Sequence, residues 1–124
     1  MTQERLDQYV TIRREVRQIQ ELQDALSGSK SSVPAKMYPN VDKLHDELMD
    51  HYSAKLQELY TEQLAIEKAI EALPGKLRIL MRYRYLDGLK WEQVCAVMSY
   101  SWSHTHRLHD KAIELIEAQK EGRG

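Results

Sequence analysis

The chain has 124 residues, 42% hydrophobic and 30% charged, which allows one ordinary domain, or a small domain with an oligomerisation arm, and excludes a multi-domain enzyme. No run approaches ~18 apolar residues, so a membrane span is excluded, and one cysteine excludes a disulfide frame or a thiolate zinc site. The net charge of −1 hides an asymmetry: residues 1–73 hold 9 Lys/Arg against 13 Asp/Glu, and residues 74–124 hold 9 against 6, so an anionic partner would bind the C-terminal part.

The chain opens Met1-Thr2-Gln3-Glu4-Arg5 without the apolar stretch of a signal peptide, which predicts a cytoplasmic protein. Residues 4–27 are predicted as one helix. Tyr9, Ile12, Val16, Ile19 and Leu26 alternate steps of three and four, Leu6 and Leu22 widen the stripe, and Gln23 falls on the same seam. Ser27-Gly28-Ser29 is expected to stop it, and the stretch through Pro39 is a polar Ser/Pro loop over 27–40. A second helix is predicted from Val41 to Leu73, capped by Asn40 or Asp42. Its seam is Met49, Tyr52, Leu56, Leu59, Gln63, Ile66, Ile70 and Leu73. At a rise of about 1.5 Å per residue the helices would be about 36 and 50 Å long, too long for a compact three-helix domain. They are expected to form an antiparallel, coiled-coil-like hairpin whose leftover apolar length, Leu59 and Ile66 included, is covered by a second copy of the chain.

Pro74-Gly75 marks the expected boundary, dividing an arm (1–73) from a C-terminal domain (74–124). Three shorter helices follow: Lys76 to Leu86, a turn at Asp87-Gly88, Trp91 to Met98, a tight turn at Ser99-Tyr100, and Ser101 to about Gln119. The fold class is therefore all-α. The last two have helix-turn-helix spacing. Val94 and Met98 would face inward, Cys95 and Ala96 are small where the helices must approach, Ser101 can cap the last helix, and Leu108, Ala112, Leu115 and Ile116 form its buried stripe. Trp102, Ser103, His106, Arg107, Asp110 and Lys111 are left on exposed or flanking faces of a helix whose N-terminal end would enter a major groove.

Leu73-Pro74, Arg78, Leu80-Met81-Arg82, Arg84-Tyr85, Gly88-Leu89, Trp91-Glu92-Gln93-Val94-Cys95, Tyr100-Ser101, Arg107-Leu108 and Lys111-Ala112 together resemble region 4 of sigma-70-type transcription initiation factors. The whole chain is similar to small regulators of this type encoded by bacteriophages and integrated elements. The resemblance implies that Arg78 and Arg84 hold DNA phosphates, that the helix start at Trp91 and Glu92 meets a phosphate through its amides, and that Lys111 makes a later phosphate contact. It implies that Trp102, Ser103, His106 and Arg107 approach bases or adjacent phosphates. Two departures stand out. The family's Arg-Glu pair at the start of the recognition helix is Trp102-Ser103 here, and its buried aliphatic is Thr105, so the usual promoter hexamer is not implied.

Plainer roles compete for several of these residues. His104, His106 and His109 are expected to be solvated or DNA-facing, because positions two apart on a helix diverge and no cysteines support a metal site. Cys95 reads as a packed small residue and Trp91 as a core anchor with a polar edge, whereas Trp102 has no evident core role. Arg82 and Arg84 could pair with Asp87 or Glu92. No phosphate-binding glycine loop, Ser/His/Asp setting or isolated carboxylate pair occurs, so neither catalysis nor a cofactor is expected. The sequence favours a transcription regulator that binds double-stranded DNA as a homodimer. An adaptor for RNA polymerase with weak DNA binding is the main alternative, and a small-terminase-like packaging protein is a third.

Overall fold

A computed structural model describes residues 3–29 and 40–121, and these are helical with no strand. The elements are α1 (Gln3–Asp7), α2 (Tyr9–Ser29), α3 (Val41–Glu71), α4 (Gly75–Met81), a single π-helical turn (Arg82–Leu86), α5 (Trp91–Met98) and α6 (Trp102–Glu121). Among the described residues no helix is long and apolar enough to cross a membrane.

The expected first helix is broken in two. Gln8 donates to the Arg5 carbonyl at 3.2 Å, a tighter turn than the α-helical one, with neither Gly nor Pro to announce it. The helix then runs past its expected stop, through Gly28 to Ser29. An internal glycine costs only about 1 kcal/mol relative to alanine and does not end a helix by itself. Most of the Ser/Pro loop lies outside the described residues.

The start of α3 is as expected: Leu44 donates to the Asn40 carbonyl at 3.0 Å, and Asp42 sits in the first turn, where its charge favours the helix dipole. Pro74 closes one helix and opens the next, its carbonyl accepting from the Arg78 N–H at 2.9 Å. The expected helix over Lys76–Leu86 changes pitch midway. Asp87 donates to the Arg82 carbonyl at 2.9 Å, an i→i+5 bond that widens the last turn. Gly88, at φ +72°, then makes the left-handed turn that a side chain would strain.

The chain divides into two compact units, Ile12–Glu62 on the one hand and Met1–Thr11 with Gln63–Gly124 on the other. This differs from the boundary expected at Pro74. In the larger unit Leu6, Tyr9, Ile66, Ile70, Leu73, Leu77, Leu80, Met81, Tyr85, Val94, Ala112 and Ile116 are buried. Tyr9 explains why the start of the chain belongs there: its hydroxyl donates to Glu67 Oε2 at 2.8 Å and accepts from Gln63 Nε2 at 3.3 Å. α6 packs on α4 and α5, and Gln119 Nε2 donates to the Ala69 carbonyl at 3.3 Å.

In the smaller unit Ile12, Val16, Leu56 and Leu59 are buried. Gln20 donates to Tyr60, Gln23 to Ser53 Oγ at 2.9 Å, and His45 Nε2 lies 2.9 Å from the Leu26 carbonyl, so partner numbers in α3 fall as α2 advances. Gln23, expected on the seam, is thereby satisfied. The seam residues Leu59 and Ile66 are 4% and 1% exposed within one chain, so they are not the uncovered surface expected for a second copy. The exposed large apolar residues of this unit are Leu22, Leu44, Leu48 and Tyr60 instead.

Candidate nucleic-acid interface

Trp91–Met98 forms as expected, with the Lys90 N–H donating to Gln93 Oε1 at 2.9 Å at its start. It ends on Ser99 in the left-handed region, φ 57°, with Ser99 N–H on the Ala96 carbonyl at 3.3 Å and Tyr100 N–H on the Cys95 carbonyl at 3.1 Å. This paired closure satisfies the Cys95 and Ala96 carbonyls and ends α5 with three residues left before α6 begins. Ser101 then caps α6: its Oγ accepts from the His104 N–H at 3.1 Å. Ser101→Ala is expected to cost about 1 kcal/mol in urea unfolding, with Ser101→Asp restoring most of it; equal midpoints for all three would show that the cap contributes nothing.

Val94 is fully buried on α5, and Ala96, two residues and some 200° round the helix, faces solvent. The small residue at the approach is Cys95 alone, whose thiol donates to Thr105 Oγ1 at 3.3 Å. Thr105, in the place of an aliphatic, is fully buried because its hydroxyl also donates to the Ser101 carbonyl at 2.9 Å. The buried stripe of α6 is Thr105, His109, Ala112 and Ile116, with Leu108 and Leu115 half-buried beside it. On the opposite side Ser103, Arg107, Asp110 and Lys111 are exposed, while Trp102 is exposed on the flank beside the buried stripe, one turn before the half-buried His106.

The arginines and aromatics of this unit are not independent. Arg84 donates from Nη1 to the Leu89 carbonyl at 2.9 Å, and its guanidinium lies over the Trp91 ring at 4.7 Å. Trp91 is half-buried, its ring 4.7 Å from those of both His106 and His109. His106 in turn meets Trp102 edge-to-face at 4.4 Å. A continuous stack thus runs from Arg84 through Trp91 and His106 to Trp102, which is 55% exposed. Arg84, expected on a phosphate, is committed to holding this stack and is half-buried, and neither it nor Arg82 pairs with Asp87 or Glu92. Arg82 lies 3.9 Å from Glu71. Such ion pairs between exposed groups contribute little.

The remaining expected contacts are spread over three helices. Arg78 is half-buried on α4, Glu92 is exposed in the first turn of α5, and Lys111 is exposed on α6, 3.9 Å from Glu114. Lys76, not anticipated, sits 5.7 Å from the Tyr100 ring, which meets His104 at 4.6 Å.

The three histidines differ, and His109 overturns the expectation of a solvated or DNA-facing group: it is 5% exposed. Its Nε2 is 2.6 Å from the Tyr85 hydroxyl, and its Nδ1 lies 3.6 Å from Asp110 Oδ1. Burial pushes the His109 pKa below the ordinary 6.5, against the pull of Asp110. Burial, with the charge of Asp7, pushes the Tyr85 hydroxyl up to about 12, against the opposing pull of Arg84. The phenol therefore keeps its proton and donates it to Nε2 of a neutral His109, which leaves the ring proton on Nδ1 beside Asp110. No sequence signal joins residues 24 apart in this way.

No protein-family model, curated protein or solved structure matches the chain.

Proposed function

We propose that the chain is a DNA-binding transcription regulator, in which α5, the 99–101 turn and α6 act as a helix-turn-helix similar to sigma region 4, carried after a helical hairpin. The observation that carries this reading is the division of α6. One face is buried against α4 and α5, the other offers Ser103, Arg107 and Lys111 to solvent, and Trp102 is exposed on the flank of a helix start fixed by Ser101. Residues 76–111 hold seven Lys/Arg against three Asp/Glu, a local balance that suits a polyanion. On this reading Arg107 is positioned for a base edge and Lys111 and Arg78 for phosphates, while Arg84 and Trp91 support the face.

Selection of bound duplexes from a random pool tests it, followed by salt titration. Lys111→Ala is expected to weaken all duplexes alike and to lower the salt slope by about 0.9, the loss of one phosphate contact. Arg107→Ala is expected to flatten preference at one or two base pairs, since a bidentate guanine contact is worth about 1–3 kcal/mol of discrimination. An unchanged site preference in Arg107→Ala would sink the recognition-helix assignment.

A second reading, an adaptor that binds RNA polymerase, is favoured by the commitment of Arg84 to internal contacts, which leaves fewer cations for phosphates. Recovery of polymerase, with no duplex enriched from the pool, would select it. A homodimer, on either reading, would use Leu22, Leu44, Leu48 and Tyr60 and leave the buried seam intact.

A further inference from the structure

Trp102 is the largest exposed side chain of α6, and more than half of it is open to solvent. It is nevertheless held. Its ring rests edge-on against His106 at 4.4 Å, His106 against Trp91 at 4.7 Å, and Trp91 lies beneath the Arg84 guanidinium at 4.7 Å, itself anchored to the Leu89 carbonyl at 2.9 Å. An indole has two rotatable bonds, and packing one side of it leaves little freedom to lose on binding. The other side is a fixed apolar surface in the first turn of α6, next to the exposed Ser103.

We propose that Trp102 reads thymine through the C5-methyl group in the major groove of a duplex; this rests on the DNA-binding reading above. The methyl is the one apolar feature a base pair presents in that groove, and it is the feature that separates thymine from the other bases to an apolar side chain. An indole cannot accept a hydrogen bond, so it cannot read the amino groups of adenine or cytosine; its one N–H can donate to the acceptor of several bases, and it is the carbon surface that singles out the methyl. Charge complementarity argues for DNA over an apolar protein partner, because residues 76–111, which include Trp102, hold seven Lys/Arg against three Asp/Glu.

The test takes the full chain and the duplex it enriches most from a random pool, then replaces each thymidine singly by deoxyuridine, which removes the methyl and nothing else. Wild type is expected to lose about fourfold in affinity at one position, the value of burying a single carbon. Trp102→Ala is expected to bind the parent duplex more weakly and to be indifferent to deoxyuridine at that position, while Trp102→Phe keeps part of the discrimination. Melting curves of the variants, at a site this exposed, are expected to match wild type within a few degrees. Equal wild-type binding to every deoxyuridine duplex overturns the proposal, as does an enriched site without thymine, or an undiminished deoxyuridine penalty in Trp102→Ala. Failure to enrich any duplex is a different result and removes the DNA-binding reading itself.

Discussion

Ile66→Asp is expected to unfold the protein, not to separate two copies of it. Ile66 is 1% exposed in a single chain, one of the apolar side chains buried in the larger unit. Truncating such a residue costs about 2–5 kcal/mol, and placing an unpaired carboxylate there adds a desolvation penalty that protonation relieves only in part. Against a total stability of about 5–15 kcal/mol, most or all of the folding free energy is removed. Circular dichroism is expected to show a large loss of helix at 25 °C and no cooperative melt, whatever the protein concentration. Leu44→Asp, at a position 60% exposed, is expected to leave the monomer's stability within about 0.5 kcal/mol of wild type. A folded Ile66→Asp that merely sediments as a smaller species would show that the seam is covered by a partner copy after all.

His109→Phe is expected to expose a second dependence, on pH. At pH 7.5 the change leaves the buried Tyr85 hydroxyl without the acceptor that Nε2 supplies at 2.6 Å, a loss of about 1–3 kcal/mol. The wild type carries a separate acid liability. His109 is surrounded by Tyr85, Trp91, His106 and Asp110, with Arg84 close by, and burial holds its pKa below 6.5. The unfolded chain then binds a proton as pH falls through 6.5 while the folded one resists, so folding stability is complete above that pH and declines below it. Thermal melts of wild type between pH 7.5 and 5 are expected to fall more steeply than those of His109→Phe, whose residual slope reports the other titrating groups. Parallel slopes would show that His109 takes up its proton in the folded protein without penalty.

Several features of this protein were legible locally. The α3 seam at Leu56, Leu59, Ile66 and Ile70 followed from spacing, because a 3.6-residue period puts those side chains on one face whatever lies opposite. The bounds of α5, the Ser101 cap, the break at Pro74 and the turn at Gly88 also follow from residues within one or two turns of each other. The candidate site was legible in part, since Trp102, Ser103, Arg107 and Lys111 are exposed where the stripe of α6 predicts.

The rest depends on groups far apart in the chain. That Leu6 and Tyr9 belong to the unit of Gln63–Gly124 depends on Tyr9 meeting Glu67, 58 residues away. The fate of Arg84 depended on Trp91 and the Leu89 carbonyl being in reach, and nothing in an arginine's identity tells a phosphate contact from a brace. The burial of His109 and its bond to Tyr85 likewise arise only when α4, α5 and α6 pack. Sequence by itself determined that the chain is helical and where most of its apolar faces lie, because backbone bonding and side-chain period are local. Tertiary packing alone decided which polar side chains became structural, because a buried donor or acceptor must find its partner wherever the fold brings one within about 3 Å.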